Sequence, residues 1–124
     1  MKYWIILFVF GLFNVADGHQ FTPTYPRLDP SYVEGVLVTR MELFNSREDV
    51  SYYEISVYSG DWDPIPFAVE ERIINIEYLK RKPIDIYIRE IDRSKAVYIC
   101  SKSKIRPSNL QMTVVSSRIC SKIK

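Results

Sequence analysis

Residues 36–44 have the sequence VLVTRMELF, in which apolar and polar side chains alternate. One face carries Leu37, Met41 and Leu43, and the other carries Arg40 and Glu42. Because successive side chains of a β-strand point to opposite faces, this period of two predicts a strand with one buried face and one solvated face. The fold class then depends on how often the same pattern returns along the chain.

The pattern returns in several segments after Gly18. Further strands are predicted over residues 52–58, 84–88, 96–100 and 110–119. Their inward residues include Tyr53, Ile55 and Val57 in the first segment and Ile84, Ile86 and Ile88 in the second. Residues 72–79 fit either a strand or a short helix, and their β-branched side chains favour the strand. Residues 45–49 (NSRED) are predicted to form a polar turn.

About seven short strands with turn signals near every tenth residue are typical of an antiparallel β-sandwich of the immunoglobulin type. A β-barrel is the alternative architecture. The chain of 124 residues is short enough for one folded domain. Its hydrophobic content of 47% and charged content of 26% are those of an ordinary globular protein and argue against disorder.

The composition also bears on function. A net charge of +2 is too small to favour a nucleic-acid or membrane-surface partner. The single histidine, His19, cannot supply a His-rich metal site, and the sequence has no Gly-rich phosphate loop. Cleavage after Gly18 would expose His19 as an amino-terminal copper chelator, but a copper site of that kind needs a second histidine. We therefore expect no enzyme activity, no catalytic residues, no cofactor and no metal.

Residues 1–18 resemble a secretory signal peptide. Lys2 is the positive residue, residues 4–13 are apolar, and Ala16 and Gly18 are the small residues before a cleavage site. The apolar run is shorter than the roughly 20 residues that cross a bilayer as a helix. A short membrane anchor or a buried helix is the alternative. We expect a mature domain of residues 19–124 that is periplasmic, or secreted, and not membrane-bound.

Cys100 and Cys120 are the only cysteines. In an exported protein, an oxidising compartment favours a structural disulfide between them. Two thiolates alone do not complete a zinc site. The sequence thus predicts one disulfide that joins the last two strands.

The order of several segments resembles the N-terminal immunoglobulin-like domain of the PapD-like periplasmic pilus chaperones. The segments that carry the resemblance are FTPTYPRL at 21–28, VLVTRMELFNS at 36–46, DPIPF at 63–67, VYICSKSKIRP at 97–107 and LQMTVVSSRI at 110–119. In that family, the last strand of the domain lends alternating apolar side chains to an incomplete pilin fold. A basic pair holds the terminal carboxylate of the pilin.

The resemblance implies a chaperone or accessory factor that binds a protein subunit of a pilus or surface polymer by strand pairing. The donor face would consist of Leu110, Met112 and Val114. Arg118 would anchor the carboxylate, with Arg27 as the weaker candidate for its basic partner. The aromatic-Arg-Pro end of the family's last strand and its second domain have no counterpart in this sequence.

Each of these residues also has a plainer interpretation. Leu110, Met112 and Val114 fit an ordinary core face, and Arg118 and Arg27 fit solvated surface positions. The alternative function is a stand-alone interaction module of the envelope or the medium, which recognises a partner through Trp62 and loop tyrosines. Trp62 would then be exposed, whereas a Trp62 folded back on the sandwich would be part of the fold. The oligomeric state is left open.

Overall fold

The computed structural model describes residues 18–104 and 116–124, and within them the chain forms eight strands and one short 3₁₀ turn at Glu90–Asp92. One sheet contains β1 (His19–Thr22), β2 (Asp29–Pro30), β3 (Val36–Asn45) and β6 (Arg81–Arg89). The other sheet contains β5 (Ile73–Asn75), β4 (Tyr52–Ser59), β7 (Ala96–Lys104) and β8 (Arg118–Lys122), in that order. All the strand pairs are antiparallel.

The two sheets form an immunoglobulin-like sandwich, and this confirms the predicted fold class. β6 pairs with β3 along nearly its whole length, and β1 and β2 pair with opposite ends of β3. β4 and β7 form the centre of the second sheet. The alternating residues of these long strands fill the space between the sheets, as predicted. The fully buried side chains there include Met41, Leu43, Tyr53, Ile55, Ile86, Ile88 and Ile99.

The ambiguous segment 72–79 contains a strand, as its β-branched residues predict, but only three residues of it. In β5, Ile74 is buried and its neighbour Ile73 is half exposed. The chain then leaves the sheet, and Leu79 adopts a left-handed backbone with φ of 63°. The rest of this segment therefore follows the turn that connects β5 to β6.

The polar turn predicted at 45–49 begins with a residue that belongs to a strand. Asn45 is the last residue of β3 and is completely buried. Its side-chain amide donates to the carbonyls of Val50 and Ile76, at 2.8 and 2.9 Å. Its side-chain oxygen accepts from the Arg47 amide and from the Tyr53 hydroxyl. A buried polar side chain is stable only when its hydrogen bonds are made, and here they join two turns to the core.

The segment 21–28 and the last predicted strand differ in extent from the observed strands. Only Phe21 and Thr22 of the segment 21–28 belong to a strand, β1, and residues 23–28 connect β1 to β2, with a cis bond between Thr22 and Pro23. The strand predicted over 110–119 is described only from residue 116 onward, and there β8 continues past Ile119 to Lys122. The predicted signal segment, apart from Gly18, lies outside the described residues. In the part that is described, no helix has the length and apolar character needed to cross a membrane.

Candidate functional site

The Cys100–Cys120 disulfide joins β7 to β8 on the outer face of its sheet. The two residues are directly opposite each other, with Cα atoms 4.0 Å apart, and the bond confirms the predicted pairing. On the same strands, Ile99 and Ile119 point inward to the core. The even-numbered residues of β8 point away from that core, so the disulfide lies on the outer face of the β7–β8 pair.

β8 is the last strand of its sheet and has one outer edge, which does not face β7. One half of this edge pairs with residues 23–28, which connect β1 to β2 and are called the crossing segment. The backbone N–H groups of Lys122 and Lys124 donate to the carbonyls of Thr24 and Pro26, at 3.0 and 2.8 Å. Ile123, between them, donates in the opposite direction, to Val97 of β7. Alternate backbone groups of β8 therefore face outward, and those near the end of the strand are paired.

The other half of this edge has no backbone partner among residues 18–104 and 116–124, and we call it the open half. The backbone groups of Arg118 and Cys120 face outward in the same register as those of Lys122, and no described residue pairs with them. The outward edge of a strand with free N–H and C=O groups is a template for another strand. The open half lies where the chain enters β8 from residues 105–115, so it is continuous with the segment that contains Leu110, Met112 and Val114.

Arg118 lies on a group of aromatic rings on the outer face. Its guanidinium carbon is 5.2 Å from the centre of the Trp62 ring and 5.8 Å from that of Tyr58. Five other arginines each pair with a carboxylate: Arg27, Arg40, Arg47, Arg81 and Arg89. In residues 18–104 and 116–124, Arg118 has no such carboxylate partner. Cation–π contacts with the two rings hold its guanidinium in position.

Trp62 folds back onto the sandwich. Its ring is parallel to that of Tyr98, with a centroid distance of 4.3 Å and an interplanar angle of 1°, and it is tilted against Tyr58. Trp62 has a left-handed φ of 69°, in a turn where the Ser59 hydroxyl accepts from the amides of Asp61 and Asp63. The side chain is still 45% exposed. The turn thus places Trp62 over β7 instead of projecting it freely into solvent.

His19 connects β1 to the β7–β8 pair. Its ring lies 4.6 Å from the Tyr53 ring, its Nε2 is 2.9 Å from the Ser101 hydroxyl, and its Nδ1 is 3.3 Å from the Ser117 hydroxyl. Burial lowers the pKa of His19 below its usual value of 6.5, and the nearby Arg47 lowers it further. Burial also raises the pKa of Tyr53 to about 12. With both ring nitrogens bonded to hydroxyls inside the protein, His19 holds the chain in place at Ser117.

The other predicted site residues lie elsewhere. Arg27 is next to Pro26, which pairs with Lys124 at the far end of β8, and it forms an ion pair with Asp29 at 3.4 Å. Lys124 is six positions after Arg118 along the chain, about 20 Å of extended backbone at ~3.3 Å per residue. The structure therefore does not bring Arg27 and Arg118 together. Leu110, Met112 and Val114 lie outside the described residues. Among the residues that are described, no group of three or more His, Cys, Asp or Glu is placed to hold a metal.

Sequence reasoning missed two parts of this site. It treated His19 only as a metal ligand, and it did not connect Trp62 with Arg118. Neither relation has a local signal, because both depend on which strands become neighbours. The only available hint was the position of Arg118 two residues before Cys120, which places both on one face of a strand.

No protein-family model matches the sequence, and no curated protein matches it. Among solved structures, the fold is similar to that of the E. coli chaperone DraB, a PapD-like pilus chaperone. The TM-score is 0.64 with 16% sequence identity, over 86% of this chain and 53% of DraB. The chain thus spans about half the length of that chaperone. The predicted resemblance to this group is confirmed at the level of the fold, and the similar structure is that of a chaperone and not of an enzyme.

Proposed function

We propose that the protein is an exported chaperone-like or accessory factor that binds a protein subunit of a pilus or surface polymer by β-strand pairing. The open half of the β8 edge at Arg118–Cys120 is the observation that carries this proposal. A strand added there would hydrogen-bond to β8 and continue along residues 105–115, where Leu110, Met112 and Val114 would supply alternating apolar side chains. The similarity to a chaperone fold supports the same assignment.

Arg118 would bind a carboxylate of the incoming subunit. The Trp62 and Tyr58 rings hold its guanidinium, and an arginine held in this way loses less side-chain entropy when it forms a bidentate contact. A hydrogen bond that involves a charged group contributes about 1.5–3 kcal/mol, which corresponds to roughly a 10- to 100-fold change in affinity.

A disulfide is typical of proteins that fold in an oxidising compartment, so the Cys100–Cys120 bond supports export. Together with residues 1–18, it favours the periplasm as the location, with secretion as the alternative. After removal of the signal segment, the protein would act as a soluble factor with no cofactor and no nucleic-acid partner.

Capture of a subunit from an envelope extract by the mature protein tests the proposal. Arg118→Ala should reduce capture at least about 10-fold, since it removes a charged contact. Lys122→Ala is the matched control, because it removes a cation from the same face of β8 at the half that pairs with the crossing segment, and it should capture normally. Capture that is unchanged by Arg118→Ala would contradict the anchor.

The donor segment needs a separate test. The double substitution Leu110→Glu and Met112→Glu should abolish capture while thermal unfolding stays cooperative, because charges cannot fill apolar pockets of a partner. Loss of folding would instead assign these residues to the core. If Trp62→Ala abolished capture while the double variant bound normally, the stand-alone interaction module would be the better assignment.

A further inference from the structure

The disulfide is shielded on one side only. Cys100 points to the outer face of the sheet, yet its accessible surface is 0%. Cys120, its partner on the same face, is partly exposed. An outward residue of a surface strand is expected to be exposed unless another part of the chain covers it. Something therefore covers the β7 end of the bond and leaves the β8 end accessible.

Trp62 and Arg118 are placed to form this cover. Trp62 stacks on Tyr98, which is two residues before Cys100 and on the same face. Arg118 is two residues before Cys120 and lies opposite Lys102, on the other side of the disulfide from Tyr98. Since the Arg118 guanidinium reaches to within 5.2 Å of the Trp62 ring, its side chain must pass over the row of residues that contains the disulfide.

The direction of thiol attack makes the two sulfur atoms differ in their accessibility to an external thiolate. A thiolate displaces sulfur from sulfur in line with the S–S bond, which here runs from β7 to β8. Attack on Cys100 must come from the side of β4, where Ser56 is its cross-strand neighbour and Tyr58, whose ring contacts Trp62, is the next residue on the outer face. Attack on Cys120 comes from beyond β8, across the open half of that edge. Lys122 is two residues from Cys120 on the same face, and its charge attracts an incoming thiolate anion.

We propose that Cys120 is the sulfur through which this disulfide exchanges with external thiols, and that the lid of Trp62 and Arg118 closes Cys100 to them. In reduction, an external thiolate bonds to Cys120 Sγ, and the Cys100 sulfur leaves with the bonding electron pair. A second external thiolate then attacks the external sulfur and releases the Cys120 thiolate. In oxidation, the Cys120 thiolate first attacks an external disulfide and expels a thiolate. The Cys100 thiolate then attacks Cys120 Sγ and displaces the second one.

The matched variants Cys100→Ser and Cys120→Ser test this assignment, because each lacks the disulfide and leaves one free thiol. With oxidised glutathione as the probe, Cys120 in the first variant should react faster than Cys100 in the second by about an order of magnitude or more, since access controls exchange. Trp62→Ala should accelerate the reaction of Cys100 and leave that of Cys120 unchanged. Tyr25→Ala, which removes another exposed aromatic ring, should change neither rate.

A measurement on the intact disulfide covers the case in which a single-cysteine variant does not fold. The wild-type chain is treated with limiting reduced glutathione under native conditions, and the mixed disulfide is located by peptide mass spectrometry. We expect glutathione on Cys120. Glutathione on Cys100, or equal amounts on both residues, would overturn the proposal, as would equal rates for the two folded single-cysteine variants.

Discussion

The strands β6 and β8 each have an outer edge, and the two edges are protected from pairing with another strand to different extents. Along β6, the backbone N–H and C=O groups of the odd-numbered residues point away from β3, toward the free edge. Tyr87 shows this, because its N–H and C=O groups both bond to Ala68, each at 2.9 Å. Pro83 is in this outward set, so the edge has no N–H at that position. Lys82 also forms an ion pair with Glu71, at 3.4 Å, across the same side.

Among residues 18–104 and 116–124, the edge of β8 is paired only at its end, through Lys122 and Lys124, and the strand contains no proline. The half at Arg118 and Cys120 is left open, next to a disulfide that fixes its position. Proteins protect edge strands because free edges promote aggregation, so an open edge beside a covalent brace is consistent with the strand addition proposed for β8. The comparison supports that proposal for β8 over one at β6.

Removal of the brace should have the largest effect. Closing a loop of this size by a disulfide stabilises a protein by about 3 kcal/mol in the chain-entropy model. The double variant Cys100→Ala and Cys120→Ala should lose about this much free energy of unfolding, measured by denaturant titration. Amide exchange should increase in β8, which contributes only the half-buried Ile119 to the core, while β6 keeps its protection.

The appropriate control is the wild-type protein in a reductant, which should approach the same stability as the double variant. An unchanged free energy of unfolding would show that the bond does not hold β8. Equal loss of amide protection in β6 and β8 would show that the disulfide braces the whole sandwich and would remove the contrast between the edges.

The buried face of each sheet could be predicted from the sequence, because burial on one side of a strand requires apolar residues at every second position. Each of β3, β4 and β6 alternates with a period of two, and the predicted inward residues are the buried ones. The disulfide could also be predicted, since two cysteines have one possible pairing. These inferences need only local pattern or a count.

The polar contacts could not be predicted, because they depend on residues that are distant in sequence. Asn45 is followed by polar residues and resembles the start of a turn, yet its amide reaches the Ile76 carbonyl, 31 positions further along. Likewise, the open half of β8 exists because the crossing segment ends its pairing at Thr24. Nothing in the sequence of β8 itself records how far another segment covers it.

Acidification should loosen β8 selectively, with a smaller effect than removal of the disulfide. The pKa of His19 is lowered by burial, so the unfolded chain binds a proton more readily than the folded one. Stability that depends on neutral His19 is complete above pH 6.5 and decreases as the pH falls through that value. Because His19 contacts Ser117, amide protection at the start of β8 should fall first, and that of β6 should not.

His19→Gln is the control for this prediction, because glutamine keeps a polar side chain but does not titrate. Its free energy of unfolding should vary less between about pH 7.5 and 5.5 than that of the wild type, since histidine titrates in this range. An equal pH dependence in both proteins would mean that another group is responsible. Protection that falls equally in β6 and β8 would mean that the histidine acts on the whole fold.

Pro83→Thr should have the smallest effect on stability and a visible effect on association. The substitution restores an N–H group on the outward edge of β6 and introduces a residue that favours strands, so the free energy of unfolding should change by no more than about 0.5 kcal/mol. With its edge opened, β6 would resemble the open half of β8, and concentration-dependent self-association should appear in size-exclusion chromatography or light scattering. Pro66 is an exposed proline outside the strands, and the control variant Pro66→Thr should remain like the wild type.

If Pro83→Thr also behaves like the wild type at high concentration, the ion pair between Lys82 and Glu71 and the bridge at Ala68 protect β6 sufficiently without the proline. The difference between the two edges would then depend on the covering segment and not on the missing N–H.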